Sequence, residues 1–77
     1  MANVDDVLNM IREADIEIDT AQLAEDVPLN DQGVDSLDLS ALMAQVEKDC
    51  GVAIAPDQSN RLRTVRDFVD FLNSAST

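Results

Sequence analysis

Apolar residues recur at positions i, i+3, i+4 and i+7 in three separate segments, the spacing of a stripe along one side of a helix. The first stripe is Val4, Val7, Leu8 and Ile11. The second is Leu39, Leu42, Met43 and Val46, extended by Cys50. The third is Val65, Phe68, Val69 and Leu72. Each begins after a residue that can cap a helix: Asn3, then Asp35 or Ser36, then Thr64. Thr64 with Asp67 has the spacing of a capping box, and Gly51 is a stop for the second helix. Pro56 can open a short fourth helix from its first position.

Between the first two helices runs a long connection from about Asp15 to Asp35, with Pro28, Asn30, Asp31 and Gly33 as turn formers. It also carries Ile16, Ile18, Leu23, Val27 and Leu29, which is too apolar for a free linker, so it should pack onto the helices. Ile16-Glu17-Ile18 alternates like a strand, but only Val52-Ala53-Ile54 could pair with it, and no sheet is expected. The tail from Asn73 to Thr77 is small and polar and should fray. The expected fold is all-α: a small four-helix bundle of three longer helices and one short one, formed by a single domain over residues 1–77.

Charge narrows the partners. The net charge is -11, from 16 acidic and 5 basic side chains. Residues 1–47 hold 12 acids and one base, Arg12, while residues 48–77 hold 4 of each and are neutral. Nucleic acid and anionic membranes are unfavourable partners for such a surface, whereas a basic protein surface suits it. No apolar run approaches the roughly 20 residues of a membrane span. Met1 to Asp6 lacks the basic and apolar regions of a signal peptide. A soluble, cytoplasmic monomer is the expectation.

Chemistry narrows the function. The chain has no histidine, and its single cysteine, Cys50, can neither pair internally nor build a zinc site. An enzyme is therefore not expected. The feature left is Gly33-Val34-Asp35-Ser36-Leu37-Asp38, a turn that carries one serine onto the start of a helix. Ser36 lacks a base: Lys48 lies more than about three helical turns away along the same helix. A calcium loop is excluded too, because aligning its glycine with Gly33 puts Leu39 where the bidentate acid belongs. Ser36 is then either an ordinary helix cap or a point of attachment. On a helical projection Leu37, Ala41, Ala44 and Lys48 face away from the apolar stripe.

The whole chain is similar to the acyl carrier proteins of fatty acid and polyketide synthesis. The resemblance runs from about Val4 to about Asn73 and rests on Asp35-Ser36-Leu37, Glu47, Gly51, Ile54 and Thr64-Val65, with the length, the acidity and the lack of histidine in agreement. It implies that a phosphopantetheinyl transferase esterifies Ser36 with 4'-phosphopantetheine from coenzyme A. It implies that the thiol of that arm carries acyl intermediates as thioesters. It also implies docking on basic patches of acyl-loading and acyl-processing enzymes through Asp35, Leu37, Asp38, Ala41, Glu47 and Lys48. By the same resemblance Leu42, Val46, Ile54, Leu62 and Phe68 line a shelter for the acyl chain.

Two departures point to a specialised member with its own partners. Alanine and lysine occupy positions 41 and 48 on the docking side of the second helix, where fatty-acid carriers have acids. Cys50 stands where a large aromatic is common, either as a small core residue or as a device that widens the cavity. Two alternatives stay open: a carrier of aminoacyl or peptidyl groups, and, in a different class, an unmodified acidic protein-interaction module.

Overall fold

The computed structural model describes residues 2–75. Among them the chain forms α1 (Val4–Glu13), α2 (Ser36–Cys50), α3 (Pro56–Ser59) and α4 (Val65–Ala75), and no strand. α1 starts with a reciprocal box: the Asp6 N–H donates to Asn3 Oδ1 at 3.0 Å, and the Asn3 N–H donates to Asp6 Oδ2 at 2.9 Å. α4 starts in the same way. The Asp67 N–H donates to Thr64 Oγ1 at 3.0 Å, and the Thr64 N–H donates to Asp67 Oδ2 at 3.1 Å. Aspartate thus serves where glutamate is more common in this motif. Gly51 ends α2 in the left-handed region, at a φ of 66°, and returns its N–H to Glu47 O at 2.9 Å.

The three stripes meet in one core. α1 packs against both α2 and α4. Val7, Ile11, Leu42, Val46, Val65, Phe68, Val69 and Leu72 are buried within it. Each such side chain contributes about 1.5–3 kcal/mol on leaving water. Phe71 is only half-buried, so Phe68 is the one aromatic ring fully inside.

The long connection between α1 and α2 packs as its apolar content requires. Ile16, Leu29 and Val34 are buried, Ile18 and Leu23 are partly buried against the core, and Val27 is exposed, at 38 %. Its backbone is more regular than expected: Thr20–Gln22 and Leu29–Gln32 form 3-10 turns. The sequence carries no periodicity for such short pieces, because tertiary anchors hold them. Leu29 donates its N–H to Arg63 O at 2.8 Å, and Arg66 donates its N–H to Glu25 O at 3.1 Å. The Gln32 amide accepts from Ala24 N and donates to the carbonyls of Ala24 and Val27. The Arg12 guanidinium donates to the hydroxyl of buried Thr20 at 2.8 Å, tying the connection to α1.

Two expectations need correction. Cys50 is exposed, not part of the core. Residues 48–51 are all exposed, so the last turn of α2 runs past its neighbours and the stripe's final position has nothing to pack on. The tail does not fray at Asn73: this residue lies within α4, where its side chain accepts from Ala2 N at 2.8 Å and donates to Ala2 O at 3.3 Å. The last two residues of the expected tail, Ser76 and Thr77, lie outside the described residues.

Candidate functional site

Gly33 closes the long connection with a φ of 95°, a conformation that residues with a Cβ adopt at a cost. This turn sends Val34 inward, where it is buried, and Asp35 outward. Val34 precedes the cap, and Leu39, the fourth helical residue, joins the same core cluster, so the chain enters α2 at a fixed angle.

The cap of α2 is Asp35: its Oδ1 accepts the Asp38 N–H at 2.8 Å. Ser36 is the first helical residue and is exposed, and its hydroxyl bonds to none of the described residues. Capping therefore leaves Ser36 Oγ unused. The N–H groups of Ser36 and Leu37 precede the first intrahelical donor, Leu39, whose N–H reaches Asp35 O at 2.9 Å. Two backbone donors and the positive end of a 15-residue helix surround the serine hydroxyl. Such an end suits a phosphate ester.

Three of the six positions expected to meet partners are exposed on α2 and its cap, and Ala44 is exposed beside them. Leu37 is 81 % exposed, and Asp35, Ala44 and Lys48 are exposed. Asp38 and Ala41 are half-buried, although the helical projection put Ala41 fully outside. Glu47 is half-buried and turned to an internal task, since its Oε2 accepts the Ile54 N–H at 2.7 Å.

The five shelter residues come together in one cluster. Leu42, Val46, Leu62 and Phe68 are buried, and Ile54 is half-buried against them. A cleft of about 370 Å³ opens beside this cluster. Leu39 and Leu62 meet Pro28, Asn30, Asp31, Ser59, Asn60 and Arg63 along it. The polar residues of this lining were not legible as a set in the sequence because they come from two segments, 30–31 and 59–63, that share no spacing. The Cys50 thiol titrates above its ordinary value, pushed up first by partial burial and then by the neighbouring Asp49 carboxylate. This disfavours the reactive thiolate. Among the described residues no cluster of side chains fits a metal ion, and no helix is long and apolar enough to cross a membrane.

Residues 5–72 match the family described as "Phosphopantetheine attachment site". The chain belongs to this family of acyl carrier proteins. Its fold is similar to that of butyryl-acyl carrier protein from the actinorhodin polyketide synthase of Streptomyces coelicolor, at 30 % identity and a TM-score of 0.79. That match covers 97 % of this chain and 91 % of the other. It is also similar to the oxytetracycline acyl carrier protein, at 28 % identity and a TM-score of 0.80, over 99 % of this chain and 83 % of that one. The family's domain is a carrier, not a catalyst, and its covalent group is 4'-phosphopantetheine. Carriers of this family work with a phosphopantetheinyl transferase and with the enzymes of a synthase. The exposed start of α2 offers a free hydroxyl and open backbone donors, which fit a phosphodiester of that group.

Proposed function

We propose that Ser36 is the attachment point of 4'-phosphopantetheine, and that the chain presents acyl or polyketide intermediates to partner enzymes. One observation carries the reading: Asp35 caps α2, so the Ser36 hydroxyl stands exposed at a helix start with no structural task. A serine needed as the cap would be committed to its own helix. The transferase supplies the catalysis; this chain supplies the hydroxyl as nucleophile, and adenosine 3',5'-bisphosphate leaves as coenzyme A is cleaved. The open N–H groups of Ser36 and Leu37 hold the phosphate. Once attached, the arm supplies a terminal thiol that binds the cargo as a thioester. Leu37 offers an apolar contact beside the arm to the enzyme that receives it, with Asp35 and Asp38 as flanking charges. The similarity to a carrier of the actinorhodin polyketide synthase favours polyketide over fatty acid cargo.

Intact mass spectrometry after incubation with coenzyme A and a broad-specificity phosphopantetheinyl transferase tests the site. The expected result is a gain of one phosphopantetheine by the natural chain and none by Ser36→Ala. A folded natural chain that gains nothing would leave the acidic interaction module as the better reading.

A further inference from the structure

The segment between α2 and α3 is tied at both ends. Gly51 returns its N–H to Glu47 O at 2.9 Å, and the Ala55 N–H donates to Gln58 Oε1 at 3.1 Å. Between these ends, among the described residues, residues 52–54 make a single hydrogen bond: the Ile54 N–H to Glu47 Oε2, at 2.7 Å. No ladder or turn backs it up. A carboxylate that accepts a backbone N–H makes a strong, charge-assisted bond, and this one is partly buried, where salt screens it little. Ile54 in turn packs against the core cluster that holds Leu42, Val46 and Phe68.

We infer that Glu47 is a positioning residue, the latch of a hinged apolar flap. Its carboxylate fixes residues 52–54 so that Ile54 closes the interior at this end of the bundle. Release of the carboxylate lets the flap swing out and opens the interior to an acyl chain. The second half rests on the proposed carrier function, while the latch itself does not. A role for Glu47 as a freely presented docking acid fits less well, because one of its oxygens is already committed inward.

Amide hydrogen exchange on the unmodified full chain, read by NMR, tests the latch apart from any chemistry at Ser36. In Glu47→Ala the Ile54 amide should exchange about tenfold faster or more, while the Val46 and Phe68 amides stay unchanged. Glu47→Gln keeps an oxygen acceptor of the same reach, so its Ile54 amide should stay within about threefold of the natural chain. Unchanged Ile54 exchange in Glu47→Ala overturns the latch, and so does failure of Glu47→Gln to restore protection. The flap is then read on chain loaded with an octanoyl thioester. Cleavage by hydroxylamine should run about threefold faster in Glu47→Ala. Faster exchange at Ile54 with unchanged cleavage would overturn the sheltering role and keep the latch. Failure to load at all would count against the carrier reading, and the exchange result would still decide the latch.

Discussion

At the start of α2, Asp35 accepts the Asp38 N–H while Ser36, the next residue, keeps its hydroxyl in solvent. Both residue types can cap a helix, so the sequence left the choice between them open. The turn at Gly33 and burial of Val34 decide it, because they orient the chain so that position 35 sits where the cap must be. Asp35→Ala should lower stability by about 1 kcal/mol, read as a lower urea midpoint with an unchanged slope. A midpoint that does not move would mean that another group, with Ser36 the nearest, has taken over the cap. Glu47 makes the same point. Its place near the end of α2 was visible in the chain, but its bond to Ile54 depends on how the following segment folds back.

Among the elements, α2 is the least cleanly amphipathic of the long helices. Its outer face carries Leu37, Ala41 and Ala44 where charges would be ordinary on a solvated helix, and ends with Lys48. A single exposed cation on the face expected to meet basic patches opposes the usual partners by like-charge contact. Lys48→Glu should raise the rate of acyl transfer to this chain by a housekeeping fatty acid synthase loading enzyme, by about threefold or more at low salt, with the effect shrinking as salt rises. An unaltered rate would remove Lys48 from partner choice. Cys50 shows the limit of reading a stripe by spacing: the period holds to the helix end, but burial stops where the neighbouring elements stop.

Over the whole molecule, a chain of 77 residues carries a net charge of -11 with all of the excess in residues 1–47. These residues include α1, the long connection and most of α2, so like charges are brought close by folding. Self-repulsion opposes the compact state, and mobile ions relieve it. Raising sodium chloride from about 10 mM to about 150 mM should therefore raise the melting temperature by about 5 °C, the shift that about 1 kcal/mol produces in a domain of this size. A flat or falling melting temperature would show that the acids are spread widely enough to be indifferent to one another. The same asymmetry favours encounter with basic partner surfaces at low salt.

The three helical stripes, the caps at Asn3 and Thr64, the stop at Gly51 and the opening of α3 at Pro56 were legible from the sequence, because each rests on neighbours within about one helical turn. So was the candidate serine, since its motif is local and the rest of the chain offers little competing chemistry. Contacts between distant segments were decided only by the tertiary structure. Leu29 meets Arg63 and Glu25 meets Arg66 through backbone groups that every residue possesses, so no residue type announces them, and the Asn73 side-chain amide meets the Ala2 backbone across a separation that no local spacing records. The exposure of Cys50, the capping role of Asp35 and the cleft beside Leu39 and Leu62 were likewise decided by the tertiary structure. They depend on where one element ends against another, and side-chain pattern along a single helix carries no record of that.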